Sequence, residues 1–175
     1  MTTRRLTTIS MLIAIKVILS ILTPVRLLNF KFTFEAFPVL AAGLLFGRFE
    51  GFMVGFIGSF LYQILFSGYG FTATTILWIL PHALSGFAVG CLAEKKKDNM
   101  NFKTISLIAV FSALLVTTLN TIALFIDAKI YGYYSSFLVF GSIPLKVFTG
   151  IILAVIYAIL LPKTIELIKK SAGKQ

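Results

Sequence analysis

Apolar runs too long and too sparsely charged for a water-soluble core dominate this chain. Residues 6–23, 74–93, 104–126 and 142–161 form four of them. Each is about the length of the roughly 20 residues that a helix needs to cross the hydrocarbon layer of a bilayer. Two shorter runs, 36–46 and 52–66, lie between the first pair and are extended by their neighbours. Residues 47–51 separate them as Gly-Arg-Phe-Glu-Gly, a tight turn at a membrane surface. Composition agrees: 58% of the residues are apolar and 13% are charged. A soluble domain is about half apolar and about a quarter charged. The surplus apolar surface has to face lipid. The expected fold is an all-α integral membrane protein, one domain over 1–175, with six transmembrane helices.

The formal charge of +10 invites a nucleic-acid reading, which the placement of the charges opposes. With six spans both termini lie on one side. That side carries Arg4, Arg5, Arg48, Lys95, Lys96, Lys97, Lys103, Lys163, Lys169, Lys170 and Lys174, eleven in all, and the opposite loops carry Arg26, Lys31 and Lys129, three in all. Cytoplasmic loops collect Lys and Arg in this way. Both termini are therefore expected in the cytoplasm of a multi-pass cell-membrane protein, with no nucleic-acid partner. Three loops then face out: 24–35, 67–73 and 127–141. The single cysteine, Cys91, allows no internal disulfide and reads as buried filler. The first run is too long for a signal peptide and no small-residue cleavage site follows it.

Polar groups within the spans are costly in lipid and each needs a use. Arg26 follows the outer end of span one. Gln63 lies near the outer end of span three, and Trp78 and His82 in the outer part of span four. Asn120 lies in the outer third of span five and Lys146 at the outer start of span six. Each has a plain structural use. Arg26 and Lys146 can snorkel to the surface. Trp78 suits an aromatic belt, the two amides can join helices, and His82 can be a satisfied core group. Their shared depth points instead to a pocket open to the outside, where a few convergent polar groups hold a small molecule. Phe30 lies in the first outer loop with Arg26, Asn29, Lys31 and Glu35. Tyr69, bracketed by Gly68 and Gly70, reads as a movable flap, whereas Tyr131, Tyr133 and Tyr134 suit either a belt or the pocket. Lys16 sits in the middle of span one and must face protein or a partner. Small residues four apart (Gly43 and Gly47, Gly51 and Gly55, Gly86 and Gly90) allow close helix packing. Ser10 and Ala14, near the cytoplasmic end of span one, fit either internal packing or a contact with another chain.

Several chemistries lack their parts. No Walker lysine motif is present, and no His/Cys cluster for a metal. Ser85 lies three residues from His82 but no Gly-x-Ser-x-Gly elbow accompanies it, and the six acids form no pair suited to acid–base work. No enzyme and no cofactor are expected.

The six short spans, basic cytoplasmic ends and polar outer face resemble the S components of energy-coupling factor (ECF) vitamin transporters. Residues 29–52, from Asn29 through Glu35 to the Gly47–Gly51 turn, are similar to the first outer loop and second span of that family, and 143–147, with Pro144 and Lys146, to the opening of its last span. Within the family, 75–82, which holds Trp78, Pro81 and His82, and Asn120-Thr121 look most like the folate-specific members. The resemblance implies high-affinity capture of folate at the outer face. It also implies docking on an ECF module of one membrane coupling protein and two ATPases, whose ATP hydrolysis topples the S component and releases the vitamin inside. The family's Ala-x-x-x-Ala docking motif falls on Ser10 and Ala14, with one alanine replaced by serine. Folate suits the polar set: a flat ring for Trp78 or Phe30, a mixed donor–acceptor edge for Gln63, Asn120 and His82, and an anionic tail for Arg26 and Lys146, with Lys31 as a helper. An S component for another vitamin (riboflavin, thiamine or similar) and a structural membrane protein without a ligand are the alternatives.

Overall fold

A computed structural model describes residues 3–22, 25–27, 30–32, 34–68, 70–96 and 100–173. The described residues form helix α1 (Thr3–Leu22), a two-stranded hairpin of β1 (Val25–Leu27) and β2 (Phe30–Phe32), α2 (Ala36–Phe46), α3 (Arg48–Leu65), α4 (Thr75–Lys95), α5 (Phe102–Ile130), α6 (Ser136–Phe140) and α7 (Ile143–Gly173). The six longer helices follow the six apolar runs. Two expectations change in detail. The first outer loop contains an antiparallel hairpin pairing Val25 with Phe32, Arg26 with Lys31 and Leu27 with Phe30. The third is largely helical, because α5 runs on past Asp127 to Ile130 and α6 follows. Among the described residues, four helical stretches are long and apolar enough to cross a membrane: Thr3–Leu22, Thr75–Lys95, Phe102–Ile130 and Ser136–Ile168. Helix α2, with 11 residues, is shorter.

Apolar side chains cover the outside of the bundle as well as filling its core. Small residues share the centre with Ile9, Leu40, Ile79 and Leu161: Ala41, Ala42, Ala83, Ala109, Ala154 and Ala158 are almost wholly buried. Other large residues point outward, among them Leu22, Leu107, Phe148, Ile159 and Leu167. Small interior residues let helix backbones approach where lipid supplies no hydrophobic drive between helices. The contact of α3 with α4 is the extreme case. A Cβ placed on Gly86 would lie 2.1 Å from the Gly51 carbonyl oxygen, and one on Gly55 would lie 2.3 Å from that of His82.

Local chemistry sets the element boundaries. Pro38 falls in the first turn of α2, where a backbone N–H has no helical partner to lose. Gly47, at φ 102° and ψ −169°, joins α2 to α3 in a conformation essentially reserved for glycine. Asn101 caps α5 by accepting a hydrogen bond from the Thr104 amide at 2.9 Å.

The two ends of the bundle differ. At the termini end, Arg5 meets Glu50 at 2.5 Å and donates to the Phe46 carbonyl at 2.7 Å, and Arg48 pairs with Glu94 at 3.7 Å. The start of α1, the α2–α3 turn and the end of α4 are thereby drawn together. The far end gathers the end of α1, the hairpin, the end of α3, the start of α4 and the α5–α7 connection.

Candidate ligand site at the far end of the bundle

Helix α4 begins at this end and carries the site's two most informative side chains. Trp78 and His82 are one turn apart and share a face. Pro81 lies between them and has no N–H for the Leu77 carbonyl, so one helix hydrogen bond is missing from that turn. The face meets two separate carboxylates.

The first is Asp127, which is buried on α5 three residues before that helix ends. Its Oδ1 accepts from the Thr74 hydroxyl and, at 3.4 Å, from the Trp78 indole N–H. Its Oδ2 accepts from the Tyr133 hydroxyl. Three donors from two chain segments, the start of α4 and the α5–α6 connection, thus satisfy one buried acid and tie both segments to α5. Tyr133 is itself 45% exposed, so this acid lies one side chain from the surface.

The second carboxylate is Glu35, immediately before α2. Its Oε2 lies 3.8 Å from Lys16 Nζ and accepts from the Ser20 hydroxyl at 2.5 Å, and its Oε1 lies 3.8 Å from His82 Nε2. Lys16 is 1% exposed. A charge that deep is tolerable only beside an opposite one, and Glu35 supplies it. The lysine stem lies against Gly58 of α3, where an added Cβ would stand 2.4 Å from Lys16 Cδ. Lys16 therefore faces protein, as expected of it, with its carboxylate partner 19 positions along the chain.

The remaining sequence-predicted residues fall as follows. Gln63 is half-buried in the last turn of α3, and its carbonyl accepts from the Ser67 hydroxyl at 2.5 Å. Asn120 is half-buried ten residues before the end of α5, and Lys146 is half-buried in the first turn of α7. Arg26 and Phe30 stand on β1 and β2, opposite Lys31 and Leu27. Tyr69 lies outside the described residues. Ser10 and Ala14 are exposed on α1, turned away from its buried face of Ile9, Leu12, Lys16 and Ser20. Ser85 shares a 2.7 Å hydrogen bond with Ser112 of α5.

Sequence reasoning missed the roles of Asp127 and Glu35. A usable signal existed: the chain has only six acids, and an acid embedded in apolar sequence needs a partner. At the opposite end of the bundle, a cavity of about 670 Å³ is lined by Phe46, Gly47, Glu94, Met100, Ile105 and Glu166, among others. It lies among the termini-end groups, away from Trp78 and His82.

Comparison with known proteins gives the architecture a family. A protein-family model described as ECF-type riboflavin transporter, S component, matches residues 1–167. A solved S component of a bacterial ECF transporter superposes with a TM-score of 0.68 at 25% identity, covering 94% of this chain and 97% of that one. FolT bound with folic acid gives 0.62 at 21% identity, covering 87% and 95%. An S component for biotin from an ECF-type ABC transporter gives 0.59 at 20% identity, covering 91% and 94%. The chain belongs to the family of ECF-type riboflavin transporter S components, multi-pass integral proteins of the cell membrane that act as substrate-binding subunits of vitamin transporters and not as enzymes.

Proposed function

We propose that this protein captures folate at the far end of its bundle and delivers it to an ECF module for ATP-driven uptake. The observation that carries the reading is the α4 face on which Trp78 and His82 stand one turn apart beside the buried Asp127. An indole offers a stacking surface for a flat heteroaromatic ring. The imidazole, with Gln63 and Asn120 from neighbouring helices, offers both donors and acceptors to such a ring's edge. Arg26 and Lys146 suit the anionic tail.

Six spans with both termini cytoplasmic place this face outside. Support comes from the eleven basic residues that flank the spans on the termini side and from the way Arg5, Arg48 and the end of α4 meet at one end. The exposed Ser10 and Ala14 of α1 then suit close packing against the coupling protein of the module.

Riboflavin is the second reading, favoured by the description of the matching family. Its ring is also flat and would stack on the same indole. A thermal-shift panel of folate, riboflavin, thiamine and biotin separates the readings, because a ligand that binds the native state alone stabilises it by RT ln(1 + [L]/Kd). Folate is expected to give the large shift. A shift with riboflavin alone would transfer the assignment to that vitamin, and no shift with any would favour a structural role.

A further inference from the structure

The β1–β2 hairpin and the Glu35 cluster are parts of one arrangement. The hairpin pairs Val25 with Phe32, Arg26 with Lys31 and Leu27 with Phe30. Further out along its two legs, Ser20 of α1 meets Glu35 in a hydrogen bond of 2.5 Å. Lys16, one turn deeper on α1, faces the same carboxylate oxygen at 3.8 Å. The other carboxylate oxygen faces His82 of α4 at 3.8 Å. One carboxylate therefore joins α1 to the start of α2, the two helices that the hairpin connects, and faces the imidazole on the candidate ligand face. A two-stranded hairpin is marginal by itself, so its position depends on how its legs are held.

We propose that Glu35 is a positioning residue for ligand capture: it fixes the hairpin root against α1 and orients His82 on α4, acting on the ligand through these two elements. This rests on the capture reading above only where the ligand is concerned; the hold on the hairpin does not require it. A buried ion pair with no such role would serve equally well anywhere along α1. This one sits at the start of α2, with one oxygen turned to Lys16 and Ser20 of α1 and the other to His82 of α4.

The test is amide hydrogen exchange on the purified, vitamin-free protein in lipid nanodiscs, comparing the natural chain with Glu35→Gln, Glu35→Asp and Ser20→Ala. Loss of one charge-assisted hydrogen bond corresponds to roughly tenfold in an opening equilibrium. Exchange at 25–27 and 30–32 should therefore rise by about that factor in Glu35→Gln. Glu35→Asp should restore part of the protection. Ser20→Ala, which removes that hydrogen bond, keeps all the charges and guards against a Glu35→Gln chain that fails to fold, should give the same pattern at about the same amplitude. Exchange in α5 should not change. Unchanged hairpin exchange, or acceleration spread equally through α5, overturns the proposal. A second arm measures folate and riboflavin dissociation rates on the same samples, where Glu35→Gln should release whichever vitamin binds about tenfold faster. A loosened hairpin with an unaltered release rate overturns the link to capture. A natural chain that binds neither vitamin counts against the capture reading, and the exchange arm still decides the hold on the hairpin.

Discussion

The indole nitrogen of Trp78 lies 3.4 Å from Oδ1 of Asp127, across the contact between α4 and α5. Trp78 is the single tryptophan of the chain, so its fluorescence reports on this relationship directly. Asp127→Asn preserves the shape of the acid and removes its charge. The variant should shift Trp78 emission in the absence of any vitamin and loosen both segments that the acid ties down. Emission and limited proteolysis of the natural and substituted chains check this.

Trp78→Ala should weaken vitamin binding by roughly 1–3 kcal/mol, the scale of a lost stacking contact together with a hydrogen bond. Thermal stability without ligand should fall by less. Equilibrium binding of labelled vitamin measures the first quantity and a melting curve the second. Equal affinity in the two proteins would remove the indole from the site.

The α3–α4 seam gives a prediction about stability alone. Gly86→Ala places a methyl 2.1 Å from the Gly51 carbonyl oxygen, a backbone atom with no rotamer to yield. The helices must separate, and overpacking of this kind costs about 1–3 kcal/mol, occasionally more. Because His82 stands one turn away on the same helix, vitamin affinity should fall along with the melting temperature. A variant as stable as the natural chain would contradict the packing described.

Gly47→Ala probes the other end. The backbone there, at φ 102° and ψ −169°, is essentially closed to residues with a Cβ, and the strain is worth about 1–3 kcal/mol. The added methyl would also stand 2.6 Å from a carboxylate oxygen of Glu94, the partner of Arg48. The melting temperature should drop while vitamin affinity stays close to that of the natural chain, since the change lies at the opposite end from Trp78. A large loss of affinity would join the two ends in a way the fold does not suggest.

Much of the fold was legible in the sequence because lipid imposes a simple rule of length and polarity. The apolar run 36–46 coincides with helix Ala36–Phe46. The other runs agree with their helices in the cores and differ at the ends: the run 104–126 lies within a helix that extends over Phe102–Ile130. The extension has a cause. Asp127 looks like the start of a loop in a hydropathy reading, yet Thr74, Trp78 and Tyr133 satisfy its carboxylate within the helix. The site was less legible for the same reason. Lys16 was conspicuous as a charge in mid-span, but its partner Glu35 read as one more polar residue of an outer loop. Nothing in the one-dimensional pattern connects a helix interior with a loop residue 19 positions away. The glycine spacings were informative because close approach needs the absence of a side chain, a property visible in the sequence itself.

The exposed face of α1 supplies a prediction about partners. Ser10→Trp with Ala14→Trp places two bulky rings on a face where small residues allow close approach. Co-purification with the ECF module should be lost while vitamin binding to the isolated protein is retained. Retained assembly would move the docking surface elsewhere.

The most direct test of vitamin capture at the far end is a titration of the purified protein, followed through Trp78 emission, with folate and then with riboflavin. Folate should change the emission saturably, and Trp78→Phe, read by labelled-vitamin binding, should weaken the interaction without abolishing the fold. A flat response to both vitamins, with no binding detected by label, would contradict the capture of either one at the Trp78–His82 face.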